Sequence, residues 1–407
     1  MNIVGIAAEF NPFHLGHAHF LREVRKKAGD SAVLCCVLSG DFVQRGEPAL
    51  FSKFARARAA VACGADLVLE LPLPRSLASA EGFGDGAVAV LAGLGGVRQI
   101  AFGMEESTCR PLQEIAAYLL TEEFERKLRL RLGGPLSYAA AREEVVAERF
   151  PAYREILSRP NNILAIEYLK AMQRRKESWE VLAVPRSGAG HDEPEGRGII
   201  RSGAEIRALC LRGGDWSSFV PAPACRIFEA EMSSGRGPVS MQGMEKPLLA
   251  VLRSQPPEAY AASPGGAGGV GMALSKAVRR ERSLQAILSA AKSKKYPLSR
   301  VRRTLMQTAL HLREEDARAE IPYLRVLACS GAGQNALAAL RGKGRIPVLT
   351  KPAEVYRMGD PGAVRIFQLG SDAHDLYALA YDGLPEPGGD FRMHPWILEG
   401  GEKAGEE

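Results

Sequence analysis

A parallel α/β fold is predicted by three observations. Short apolar runs recur at Ile3–Ala8, Ala32–Leu38, Leu67–Leu71 and Gln99–Phe102. The stretches between them, such as His17–Lys27 and Lys53–Cys63, carry apolar residues at helical spacing. The runs are mostly apolar, with Glu70 and Gln99 as exceptions, and read as buried strands. Such strand–helix–strand alternation argues for a parallel sheet. Ligands of such sheets bind beyond the carboxyl ends of the strands, near a topological switch.

The first strand feeds the most informative segment, Ala7-Ala8-Glu9-Phe10-Asn11-Pro12-Phe13-His14-Leu15-Gly16-His17, with Phe20 one turn further on. Pro12 fixes a turn, and a helix is predicted to start at the histidines. Two imidazoles three residues apart share one helix face. A helix N-terminus adds N–H groups and a positive dipole end, both suited to phosphate. Gly16 lets a base or phosphate approach the backbone. Surface caps are the plain alternative. No Cys or carboxylate stands at a spacing that completes a zinc set with these histidines, so no protein metal ligands are expected. The segment fits a nucleotide triphosphate and the charge that builds when its α-phosphate is attacked.

The second strand ends in Ser39-Gly40-Asp41-Phe42-Val43-Gln44-Arg45-Gly46-Glu47-Pro48. Ser39 and Gly40 line a small-substrate pocket in this reading, and Gln44 and Arg45 hold an anion; an ordinary strand-to-helix loop fits equally. Lys53, Arg56 and Arg58 follow on a helix and read as a solvated face. Phe102-Gly103-Met104-Glu105 closes a later strand, where Gly103 either lets adenine lie on the backbone or is a turn glycine. Residues 110–180 read as mainly helical, broken at Arg159-Pro160-Asn161-Asn162. Val181–Val184 reads as another strand. The Gly- and charge-rich loop 187–198 reads as mobile until a ligand orders it.

Ser202 and Glu205 have capping-box spacing, so a helix is predicted from Ser202. Arg207, one turn in, reaches back toward that end, and the two suit β- and γ-phosphates. Ala261–Gly271 is Gly-rich and reads as a hinge. Leu274–Arg303 is helical, with ten Lys or Arg and one acid, Glu281. Lys276, Arg279, Arg280, Lys292, Lys294, Lys295, Arg300, Arg302 and Arg303 are the candidate nucleic-acid contacts, with Tyr296 placed to stack on a base.

The 407 residues divide into a catalytic unit over 1–215, a helical basic unit over 216–315, a small α/β unit over 316–382 and a frayed tail over 383–407. A hydrophobic share of 46% and a charge of +6 fit a globular protein that permits a nucleic-acid partner. No apolar run reaches membrane-span length, so no membrane partner is expected. Seven cysteines without a C-x-x-C pair read as reduced thiols in a cytoplasmic protein.

His14-Leu15-Gly16-His17 after a first strand is similar to the signature of the nucleotidylyltransferase superfamily, and Arg201–Arg207 resembles its second phosphate motif. More narrowly, six stretches in order resemble the bacterial tRNA(Met) cytidine acetate ligase family. They are Ala8–His17, Leu38–Pro48, Cys63–Pro72, Phe102-Gly103, Arg159–Ala165 and Arg201–Arg207. The resemblance covers residue 2 to about 310. It implies a Rossmann-like catalytic domain that activates acetate with ATP as acetyl-adenylate, releasing pyrophosphate. The acetyl group then passes to the 4-amino group of the wobble cytidine of elongator tRNA(Met).

The resemblance also implies an ATP site over the loop around Ala7–Phe20, with Gly103, one of Asn161 and Asn162, and Arg186. Met104 stands where a small hydroxyl residue is expected, and Gly203 where alanine is. On this reading His14, His17 and their helix end stabilise the charge formed at phosphorus. Ser202 and Arg207 hold the departing phosphates, Mg²⁺ bridges those phosphates, and the 187–198 loop is a lid. Two rivals stand beside it: a small-molecule adenylyltransferase, and a non-catalytic RNA-binding protein with a nucleotide fold.

Overall fold

The computed structural model describes residues 1–134, 136–185 and 201–399. Its strands are β1 (Ile3–Ala8), β2 (Val33–Ser39), β3 (Phe42–Val43), β4 (Glu47–Pro48), β5 (Leu67–Leu71), β6 (Val97–Met104), β7 (Glu180–Pro185), β8 (Leu324–Cys329), β9 (Val348–Leu349) and β10 (Trp396–Ile397). The sheet runs β10-β8-β5-β2-β1-β6-β7, with β9 beside β8. From β5 to β7 every pairing is parallel. The strand order reverses at β1, which has β2 on one side and β6 on the other. The crevice beyond the carboxyl end of β1 is therefore the topological switch, where an open α/β sheet binds its ligand. β1, β2 and β5 are almost wholly buried. Helices cover both faces, which is why these strands read as largely apolar runs, the buried Glu70 of β5 excepted.

The chain divides differently from the sequence expectation. β8 does not open a separate unit over 316–382; it joins the main sheet antiparallel to β5. Phe367, Ala373 and Tyr377, on the Pro361–Ala378 helix, share a core with Leu248, Leu274, Val301 and Leu305 of the basic helical region. Trp216, Val220, Ala224 and Phe228 pack in the sheet-side core, so the boundary placed at residue 215 falls too early.

The tail placed at 383–407 is also ordered where it is described. β10 pairs with β8, and Asp390 is fully buried. The expected hinge at Ala261–Gly271 is a tightly packed turn. A Cβ on Gly266 or Gly271 would lie 2.0 or 2.3 Å from the Tyr260 carbonyl oxygen. All seven cysteines are free. Among the described residues no helix is long and apolar enough to cross a membrane.

Candidate active site

His14 stands just outside the Leu15–Ala28 helix as its N-cap, and His17 is the third residue inside. The predicted pair on one helix face is thus a capping box built from imidazoles. His14 Nδ1 accepts from the Gly16 N–H at 3.1 Å, and His17 Nδ1 accepts from the His14 N–H at 3.3 Å. Both rings use Nδ1 as acceptor, so in the neutral form both carry their proton on Nε2. The rings lie 3.8 Å apart, with Phe10 and Phe13 against His17. Phe10 has φ +45°, a conformation that bulky residues rarely hold without support around them.

A second helix N-terminus arrives at the same place. Gly203 opens the Gly203–Leu211 helix. A Cβ there would lie 3.2 Å from the Asn11 carbonyl oxygen and 3.8 Å from the His14 ring. Glycine stands here where alanine was expected, and an alanine Cβ would need the Asn11 carbonyl to shift only by a few tenths of an ångström. Arg207 donates from Nη1 to that same Asn11 oxygen at 2.7 Å. Burial lowers its pKa against the pull of Glu47 and Glu9. Ser202 caps its helix through the predicted box with Glu205, its hydroxyl accepting from the Glu205 N–H at 3.3 Å.

The loop after β2 is tied to the loop after β1. The Gln44 N–H donates to the Glu9 carboxylate at 2.8 Å, and the Leu50 N–H to the Asn11 side chain at 2.8 Å. Arg56 is the brace that sequence reasoning missed. It is 0% exposed rather than part of a solvated face. Its guanidinium donates to the carbonyls of Glu9 (2.5 Å), Phe51 (2.9 Å), Ser39 (3.1 Å) and Gly40. Ser39 is buried beneath it, with its hydroxyl 3.4 Å from Arg56. Gly40 is buried, Gln44 is half-buried and Arg45 is exposed.

Lys53 is likewise 1% exposed and bridges Glu70 and Asp390 at 2.6 and 3.1 Å. The signal for burial was present: Lys53–Ala62 carries three cations and no acid on an otherwise apolar, alanine-rich helix.

Gly103 lies on β6 opposite Val184. Met104 is buried in the core. The next residues are clamped to the Pro160–Arg174 helix. The Glu105 N–H donates to the Asn162 side chain at 2.8 Å, and Asn162 Nδ2 donates to Glu106 at 3.1 Å. Asn162 is 0% exposed, with both amide atoms engaged; Asn161 is half-buried and donates to Glu105. Arg186 and the 187–198 loop lie outside the described residues.

The β3–β4 hairpin connects the basic region to this site. Gly46, between β3 and β4, lies against the Leu298–Ala309 helix; a Cβ there would be 2.6 Å from the Arg302 carbonyl carbon. Arg302 pairs with Glu47. Arg300 donates to the Ala267 carbonyl at 2.7 Å and lies over Tyr296, so both are partly structural. Burial lowers the Arg303 pKa to about 10. Lys276, Arg279, Arg280, Lys292, Lys294 and Lys295 are exposed. Among the described residues no cluster of three His, Cys, Asp or Glu side chains is placed to hold a metal.

The whole arrangement has known counterparts. The HIGH Nucleotidyl Transferase family model matches residues 1–387. The tRNA(Met) cytidine acetate ligase of Caldanaerobacter subterraneus subsp. tengcongensis is 34% identical over 98% of this chain and 100% of its own. That of Acetivibrio thermocellus is 33% identical over 94% and 95%. The crystal structure of Thermotoga maritima TmcAL bound with alpha-thio ATP superposes with a TM-score of 0.90. It is 27% identical and covers 98% of this chain and 100% of that one. The chain belongs to the HIGH Nucleotidyl Transferase family and, within it, to the tRNA(Met) cytidine acetate ligases.

Proposed function

We propose that the protein is an ATP-dependent ligase that activates acetate as acetyl-adenylate. It then acetylates the 4-amino group of the wobble cytidine of elongator tRNA(Met). One observation carries the reading: two helix N-termini converge, at His14 and Gly203, on the crevice beyond β1. Donors on two sides suit a chain of phosphates, whose charge grows as acetate attacks the α-phosphorus and pyrophosphate departs. His14 and His17 donate through Nε2 to the reacting phosphoryl oxygens. Arg207 and the N–H groups beyond Ser202 take the leaving phosphates. Asn161 contacts the adenine side: Asn162 is buried with both amide atoms holding the Glu105–Glu106 turn, whereas Asn161 is half-buried and only its amide nitrogen donates, to Glu105.

Acetate occupies the space by Gly40, Gln44 and Arg45. The exposed lysines and arginines of the 276–295 segment take the tRNA backbone, and the compartment is the cytoplasm. The donor set at the crevice is imidazole, guanidinium and N–H, which suits phosphate rather than a hard cation. Magnesium bound with ATP would offset the charge of the phosphates, and none of these side chains would need to hold it.

The test is pyrophosphate release from ATP by the purified chain, with and without acetate, followed by addition of bacterial tRNA. Acetate-dependent release, with acetate label appearing in tRNA cytidine, is expected. Release that ignores acetate would return the chain to small-molecule adenylyl transfer; tRNA binding without turnover would leave an RNA-binding protein.

A further inference from the structure

The second half of the proposed reaction needs a proton acceptor that the charge-stabilising residues do not supply. When the cytidine amine attacks the acetyl carbon, its nitrogen becomes positive and must lose a proton before the adduct collapses. The imidazoles of His14 and His17 are turned the wrong way for this: each Nδ1 accepts from a backbone N–H, so each neutral Nε2 is a donor.

The neighbouring carboxylates are committed elsewhere. Glu47 pairs with Arg302, Glu205 with the Ser202 cap, Asp41 with His374 and the Lys53 N–H, and Glu70 with Lys53 and Arg325. Glu9 differs. It stands where the nucleotide loop meets the acetate loop, its carbonyl pinned by Arg56 and one carboxylate oxygen held by the Gln44 N–H.

We propose that Glu9 is the general base of acetyl transfer, accepting the proton of the cytidine 4-amino group. This rests on the ligase reading given above. In the step, the amine lone pair forms the C–N bond and the carbonyl π pair moves to oxygen. The amine proton passes to the Glu9 carboxylate. The oxyanion then re-forms the carbonyl, the bond from carbon to the phosphate oxygen breaks, and AMP leaves with that electron pair. Glu9 returns its proton to water. Burial raises the Glu9 pKa although Arg56, Arg45 and Arg207 oppose it, and the Tyr168 hydroxyl also lies within its field. A carboxylate so placed is a stronger base than an ordinary one.

The experiment separates the two half-reactions in the full-length protein. Acetate-dependent exchange of pyrophosphate into ATP reads activation; single-turnover labelling of tRNA from acetate reads transfer. In Glu9→Gln the ratio of transfer to exchange is expected to fall about a hundredfold, the lower range for a lost general base. Wild-type transfer should rise with pH along a limb above the usual carboxylate range. That limb should be missing in Glu9→Gln, and Glu9→Asp should recover part of the ratio. A purely structural role for Glu9 predicts that exchange and transfer fall together; that result, or a limb that survives in Glu9→Gln, overturns the assignment. Wild-type protein without acetate-dependent exchange would instead overturn the ligase reading itself.

Discussion

His14 holds two jobs in one ring, and they are separable. Its Nδ1 caps a helix, while its Nε2 faces the reaction in the proposed mechanism. His14→Ala removes both and should cost about 1 kcal/mol of stability as a lost cap. Acetate-dependent ATP cleavage should fall about a hundredfold or more, the scale of one lost oxyanion-type donor. His14→Asn keeps a good capping acceptor, so its thermal midpoint should return toward wild type while its activity stays low. Equal activity in the asparagine variant and wild type would remove the imidazole from the chemistry.

The motif was legible because its chemistry is local: a strand, a proline turn, then His14-Leu15-Gly16-His17. Arg56 was misread although its helix carries three cations and no acid, since a cation on a helix ordinarily faces water. Only the fold places four carbonyl oxygens around its guanidinium.

Among elements, the β3–β4 hairpin matters most, because it joins the site to the basic helices. Its Gln44 N–H holds Glu9, its Glu47 holds Arg302, and its Gly46 has φ +77° with no room for a side chain. Gly46→Ala must both adopt a left-handed backbone and push back the Arg302–Arg303 backbone. It should destabilise the protein by about 1–3 kcal/mol, measured by denaturant unfolding. Acetyl transfer should fall with it, because Glu9 loses its anchor. A variant as stable as wild type would mean that the hairpin and the helix part without cost.

The elements of the first hundred residues were readable from pattern alone, since parallel strands buried on both faces leave largely apolar runs. The hinge assigned to Ala261–Gly271 failed for the opposite reason. Glycine marks close approach as well as freedom, and composition does not distinguish them; here the Tyr260 carbonyl fills the space.

At the scale of the molecule, β8 and the described residues beyond it are bound into the catalytic sheet by buried charge. Arg325 on β8 meets Glu70 and Asp390 at 3.2 and 2.8 Å, Lys53 meets the same two acids, and His374 meets Asp41 at 2.9 Å. Sequence separation hid this: Lys53 and Asp390 are 337 residues apart, and neither has a local partner that would flag the pair.

The network gives stability a pH dependence of definite sign. Burial opposes the charged form of His374, but the Asp41 carboxylate outweighs it and holds the imidazole above its ordinary value. That contribution is complete below the ordinary histidine pKa of about 6.5 and is lost as pH rises through the higher folded value. Asp41 and Asp390 work in the other direction. Burial opposes their charge, the cations around them win, and both are held below the ordinary value. Their contribution is present above the ordinary aspartate pKa of about 3.9 and is lost as pH falls through the lower folded values.

His374→Gln keeps a donor for Asp41 but removes the charge. Its stability deficit at pH 6 should be about 1.5–3 kcal/mol, the scale of a hydrogen bond to a charged group. The deficit should shrink steadily toward pH 9, as the wild-type imidazole loses its proton. Denaturant unfolding of both proteins across that range decides it. A deficit that does not change with pH would mean His374 is neutral throughout, and that shape, not charge, holds the C-terminal segment to the Asp41 loop.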